Sequence, residues 1–366
     1  MRVLIVCVNR GLAGPTRHVH HLIKSIGDGA EVALAARAGG WLAGRVMQDF
    51  PSVNCFPLAL SGSLQNPVAT LKLACLARRG GYDLIHTQGS HGTRYGLTAS
   101  WLTGIPVVAT AHSLMPDSMP VFRKARSVIA VAHAVKGVLM QEGLKEDNIH
   151  VVWNGIHVEE FDSITEDEIR VARQELAIPD GVPVIATFGR TSRTKGHDTF
   201  FKAAVQIHRS VPNAHFLLLG RETADFAPQL HEIINKGGIR DVVRFPGHRY
   251  DMARLLHTID VAVTMSRSEA FGIVCLECMA CRVPVVASRI GGLVEIVAEG
   301  ETGFLLPPED DHALAERVVE LLEDATTRKT MGLRGGNDWS GASLRGKWPQ
   351  VPCRSTERWE ATDSNE

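Results

Sequence analysis

The chain has 366 residues, 45% of them hydrophobic, which is material for two cores rather than one. No apolar run approaches membrane-spanning length, and the opening segment 1–8 is too short for a signal-peptide core. Net charge is −1, but residues 1–155 hold 15 Lys and Arg against 8 Asp and Glu, while the remainder holds 24 against 32.

In chain order, 3–8, 32–36, 84–86, 107–111, 127–131 and 150–153 read as strands. Between them 18–26, 67–79, 96–102 and 134–142 read as helices, the alternation of a doubly wound parallel sheet. The loop Gly11-Leu12-Ala13-Gly14 joins the first strand to the first helix. Its glycines let backbone amides approach a ligand closely, yet the three-glycine spacing of a dinucleotide fingerprint is absent. His18 and His21 stand at i, i+3, but no carboxylate or cysteine completes a metal set there. His112 ends the 107–111 strand. The basic run Arg123-Lys124-Ala125-Arg126 reads as a contact for an anionic surface or as a solvated face.

A second alternation runs through 184–189, 215–219, 242–245, 261–265 and 283–288. The expected units are therefore 1–157 and 158–334, with 335–366 set apart. Ligands of open parallel sheets bind at strand carboxyl ends, so two such sheets place the site in the cleft between them.

The second half carries the most specific chemistry. Arg190 follows one strand end and Lys195 lies five residues on, so both cations can converge on a diphosphate. Glu269 and Glu277 lie eight positions apart across an expected loop-to-helix junction. Between them the free amides of Phe271, Gly272 and Ile273 would face an anion at the helix start. A ligand with hydroxyls at both ends and phosphate in the middle fits this set, as a nucleotide-sugar does. Taken alone, the glutamates read as a helix-start acid and a solvated residue; the residues around them reverse that reading. Cys275, Cys278 and Cys281 have iron–sulfur spacing, but on one helix they read as a packed face with no fourth ligand. Seven cysteines, odd in number and irregularly spaced, suggest a reducing compartment.

From the N-terminus to about Arg334 the chain resembles glycosyltransferase family 4, most specifically over 266–308. The resemblance implies an α/β GT-B fold, two facing Rossmann-like doubly wound domains with an interdomain cleft. It implies a retaining transferase with Glu269 on the donor sugar, Glu277 on the ribose, and Arg190 and Lys195 on the phosphates. It further implies Gly14 over the donor phosphate, Gly11 as a weaker match, and His112 near the reacting sugar. The expected partners are a nucleotide-sugar donor and a glycan or lipid-linked acceptor in cell-surface polysaccharide, lipopolysaccharide or glycolipid assembly. No cofactor, metal or nucleic acid is expected. The expected location is cytoplasmic, with peripheral contact at the inner face of an anionic membrane. Where the family usually has aspartate this chain has His157, and Arg282 replaces a usual helix-end glycine.

After Gly335 the sequence shows neither helical nor strand periodicity. Moving the reading frame back by one nucleotide lets residues 337–340 encode family-like residues, which suggests a frameshift near Arg334. Two alternatives stay open: a nucleotide-sugar epimerase on a similar architecture, or a nucleotide-sugar-binding protein inactivated by the altered tail. A nicotinamide dehydrogenase is disfavoured because the glycine fingerprint and its following acid are absent.

Overall fold

The computed structural model describes residues 1–26, 29–62 and 65–345. The first domain is built on β1 (Arg2–Cys7), β2 (Glu31–Arg37), β3 (Asn54–Leu58), β4 (Leu84–Gln88), β5 (Val107–Ala111), β6 (Ser127–Ala130) and β7 (Ile149–Val151). The second uses β8 (Val184–Phe188), β9 (His215–Leu219), β10 (Val243–Gly247), β11 (Val261–Thr264), β12 (Val285–Ser288) and β13 (Gly303–Leu306). The sheet orders are β3-β2-β1-β4-β5-β6-β7 and β10-β9-β8-β11-β12-β13. Every named pairing is parallel.

Burial on both faces explains why the central strands read as unbroken apolar runs. All five residues of β8 and of β9 are buried. The sequence reading missed two strands, and both are sheet edges. In β3, Pro57 breaks the strand signature; at an edge a missing N–H does no harm. β13 (Gly303–Leu306) opens on a glycine, which carries no strand signal.

The chain passes to the second domain after β7, and the short helix Glu159–Asp162 docks there, with the Phe161 carbonyl accepting from His257 Nε2 at 2.7 Å. A carboxylate fastens the two domains from the other direction. Glu295, in the short helix Leu293–Ile296, accepts from the amides of His133 and Ala134 at 2.9 and 3.0 Å and from the Trp153 indole at 2.7 Å. It thereby caps the helix His133–Gln141 of the other domain with a negative charge, where orphan amides favour one.

The expected loss of structure at Gly335 is corrected over part of its length. The helix Ala325–Arg345 runs straight through it. Packing overrides weak periodicity here, because small residues let this helix approach the helix Ile273–Ala280 closely. A β-carbon at Gly332 would lie 2.0 Å from the Arg282 carbonyl oxygen, and one at Gly335 3.2 Å from Met279 Cγ. Residues 346–366 of the expected aberrant tail lie outside the described residues. Arg282 does occupy a left-handed position, with φ of 59°.

Two stability outcomes follow. Arg282→Gly should raise the thermal midpoint by relieving about 1 kcal/mol of left-handed strain; a lower midpoint would show that the arginine side chain contributes more than its backbone costs. Glu295→Ala should cost roughly 1–3 kcal/mol in chemical denaturation and enlarge the radius of gyration in solution scattering, and an unchanged radius would remove the clasp as a link between domains.

Candidate active site

In each sheet the strand order reverses once, between β1 and β4 and between β8 and β11. Loops leaving adjacent strands in opposite directions open a crevice at each reversal. The two crevices face each other and merge into one cleft of about 1260 Å³. Arg10, Gly14, Arg17, Trp41, Arg45 and His112 line its first-domain side. Arg190, Lys195, Arg221, Glu269 and the turn Phe271–Gly272–Ile273 line the second.

On the second-domain wall, β8 ends at Phe188 and the 3₁₀ turn Arg193–Lys195 follows. Gly196 closes that turn at φ 65°, pressed so near β11 that a β-carbon would meet the Met265 carbonyl oxygen at 1.8 Å. Only glycine fits this approach, and it sets Lys195 opposite the loop after β11. Lys195 Nζ then lies 2.6 Å from Glu269 Oε2. The Glu269 loop is held from behind, where its carbonyl accepts from the Gly292 amide at 3.0 Å. A β-carbon at Gly291 would sit 2.0 Å from the same carbonyl oxygen. The helix Ile273–Ala280 starts directly after this loop, so its first amides open toward the cleft. Arg190 is exposed beside them.

Glu277 is placed otherwise than the sequence reading expects. It is fully buried inside the helix Ile273–Ala280 and is not on the cleft surface. Arg17, from the first helix (Gly14–Ile26) of the opposite domain, lies against its carboxylate. Burial pushes the Glu277 carboxyl above its ordinary range, and Arg17 pulls the other way. The three neighbouring cysteines are buried, and burial holds each thiol well above its ordinary range.

On the first-domain wall, buried Thr16 fixes the Gly11–Gly14 loop: its hydroxyl accepts from the Ala13 amide at 2.9 Å and lies 3.1 Å from the Gly11 carbonyl oxygen. His112 follows β5, with one edge on the cleft. Its Nε2–H donates to Oε1 of fully buried Gln88 at 2.8 Å, which leaves Nδ1 as the acceptor nitrogen. Gln88 Nε2 in turn lies 3.3 Å from His86 Nε2. The His18 ring stands edge-on to His112 at 5.1 Å. Burial, with the neighbouring histidines adding to it, holds His112 well below the ordinary imidazole range. Burial lowers His18 and His86 to about 4 each. The cleft thus presents neutral imidazole at physiological pH.

The sequence reading missed Arg17, Gln88 and Arg221. Arg17 does flank the glycine loop, a visible signal; Gln88 becomes meaningful only once β4 and β5 pair, bringing it beside His112.

Residues 12–160 match the family described as Glycosyltransferase Family 4, and residues 168–337 match Glycosyl transferases group 1. A D-inositol 3-phosphate glycosyltransferase from Corynebacterium efficiens is 30% identical over 343 residues, spanning 83% of this chain and 81% of the relative. The chain belongs to the group 1, family 4 glycosyltransferases. The homologous enzyme from Corynebacterium aurimucosum is 28% identical over 277 residues; the match spans 69% of this chain and 66% of that relative's length. Among solved structures, HepE from Anabaena in complex with UDP and glucose is 25% identical with a TM-score of 0.84, covering 93% of this chain and 95% of that one. Sucrose-phosphate synthase from Thermosynechococcus elongatus, at 22% identity and a TM-score of 0.76, shares the fold over 92% of this chain and 94% of its own. The two-domain architecture is the GT-B fold of this family.

The histidine cluster makes stability depend on pH. Unfolded histidines take up protons near pH 6.5, whereas His18 and His86 in the folded protein do so only near 4. Each therefore contributes stability above pH 6.5 that is lost as pH falls toward 4, at about 1.4 kcal/mol per pH unit. Urea denaturation at pH 7, 5.5 and 4.5 should show this decline, and His18→Gln should make it shallower; a flat profile would mean that the folded protein takes up these protons as readily as the unfolded chain.

Proposed function

We propose that this protein is a retaining glycosyltransferase that moves a hexosyl group from a nucleoside-diphosphate sugar to an acceptor hydroxyl. The observation that carries this reading is the second-domain wall: Lys195 paired to Glu269 at 2.6 Å, with Arg190 and an open helix start alongside. The cations and amides suit a diphosphate, and the carboxylate suits sugar hydroxyls. The Anabaena relative's complex with UDP-glucose supports uridine as the donor nucleoside.

In the proposed reaction the acceptor oxygen bonds to the anomeric carbon on the face from which the diphosphate departs. The carbon–oxygen bond to phosphate breaks with its electron pair passing to the phosphate oxygen, which also takes the acceptor's proton. Negative charge grows on that phosphate, so Arg190 and Lys195 stabilise the transition state more than the ground state. Neutral His112, its Nε2–H committed to Gln88, offers Nδ1 as an acceptor for a sugar hydroxyl. Glu277 would reach the ribose once Arg17 withdraws from it, and Gly14 would cover the phosphates as the domains close. No metal is assigned a part.

The acceptor belongs to the same proposal. A glycan or lipid-linked hydroxyl in cell-surface assembly, met at a membrane by the basic first domain, is one setting. The Corynebacterium relatives are named for transfer to inositol 3-phosphate, which favours a small phosphorylated polyol.

With UDP-glucose as donor, Arg190→Ala, Lys195→Ala and Glu269→Gln should each lower UDP release in the presence of acceptor by about 10²–10³-fold. Activity should survive chelation of divalent cations. Turnover of the nucleotide-sugar to an isomer without UDP release would favour an epimerase instead, and unchanged rates in all three variants would overturn the assignment.

A further inference from the structure

Arg267 stands two residues before Glu269 in the loop after β11, and its guanidinium gathers three strand-end loops of the second domain without lining the cleft. Its Nη1 and Nη2 form a fork on the Asp198 carboxylate, at 2.8 Å to each oxygen. Asp198 lies in the first turn of the helix His197–Ser210, directly after the turn that carries Lys195. Nη1 also donates to the Arg193 carbonyl at 2.5 Å, and the Arg267 amide donates to the Thr194 carbonyl at 2.7 Å. From the loop after β13, Glu309 accepts from Nε. Two loops that carry Lys195 and Glu269, and a third beside them, thus meet at one side chain.

The fork is largely shielded from water: side-chain exposure is 20% for Arg267 and 10% for Asp198. Burial raises the Asp198 carboxyl, but the Arg267 fork and the first helix amides outweigh it and leave the group below its ordinary range. Two parallel bonds between guanidinium and carboxylate fix direction as well as distance. That matters in the cleft, because Lys195 and Glu269 come from different loops, and their 2.6 Å contact exists only while those loops keep their spacing. Arg267 spans the gap from behind, with its backbone hooked to Thr194 just before Lys195 and its fork closed on Asp198 three residues after it. We propose that Arg267 is a positioning residue, which brackets Lys195 on both sides and so sets the place of its ammonium group against the diphosphate of the donor. It touches no substrate and acts through the lysine. The inference rests on the proposed transferase reading, in which Lys195 meets that diphosphate. A lysine at this position would keep the charge but not the fork.

The test is a mutant cycle read by titrating UDP and, as the phosphate-free control, uridine into the full chain. Wild-type protein should bind UDP at least about tenfold more tightly than uridine, and Lys195→Ala should remove most of that preference. Arg267→Ala should weaken UDP by about five- to tenfold and leave uridine within about twofold. In the Lys195→Ala background the same substitution should cost UDP less than about twofold, because its effect passes through the lysine. Asp198→Asn removes the charge of the fork at nearly constant shape and should reproduce the loss; it carries the same cycle if Arg267→Ala does not fold. Arg267→Lys should recover only part of the affinity. An equal loss of UDP and uridine would show general damage to the domain, and a loss that simply adds to that of Lys195→Ala would show an effect unrelated to it; either overturns the positioning role. So would unchanged UDP affinity in Arg267→Ala and Asp198→Asn while Lys195→Ala is impaired. No preference of the wild type for UDP over uridine, or an unimpaired Lys195→Ala, would instead sink the donor reading and this inference with it.

Discussion

The cleft chemistry depends on one geometric constraint, the reversal of strand order in two facing parallel sheets. Parallel strands all point their carboxyl ends the same way, and right-handed crossovers put the helices of each winding direction on one face of the sheet. Where the winding direction changes, no crossover covers the strand ends. In this protein β1 with β4, and β8 with β11, leave such gaps. The glycine loop and Gln88 lie at the first, and Arg190, Lys195 and Glu269 at the second. Chemistry collects at these points because they are where loop backbone and side chains reach a ligand without a helix in the way.

Charge then distinguishes the two walls. On the second-domain wall, Lys195 and Glu269 neutralise each other at the surface of the cleft, an arrangement a diphosphate sugar could replace contact for contact. On the first-domain wall Arg45 pairs with Asp49, and Arg10 meets no carboxylate among the described residues. Glu277 is the exception that joins them. A carboxylate excluded from water is costly unless a cation meets it, and the cation here comes from the opposite domain. Arg17 and Glu295 thus tie the domains together from opposite directions, one by a buried ion pair and the other by capping a helix. Closure of a GT-B cleft around its ligand would have to renegotiate the first of these while the second can serve as a hinge-side anchor.

Much of this was legible in residue order. The alternation of strand and helix announced both domains because buried parallel strands are apolar throughout. The block from Ser266 to Pro308 announced the second-domain wall of the cleft, because a strand end, an acid, a glycine turn and a helix follow one another in that order. Two edge strands were hidden: β3 contains a proline and β13 opens on a glycine. The helix Ala325–Arg345 was hidden by its glycines, which oppose helix propensity but permit close packing on the helix Ile273–Ala280.

Local pattern therefore determined the elements, the fold class and which short segments carry chemistry, since these depend on side-chain period and on turn residues close in sequence. Partners far apart in the chain were decided by tertiary structure alone: Arg17 against Glu277, Gln88 against His112, Arg10 beside Trp41, and Glu295 across the domain boundary. Each joins residues brought together only by sheet register or domain docking, and no periodicity along a single element records such a meeting.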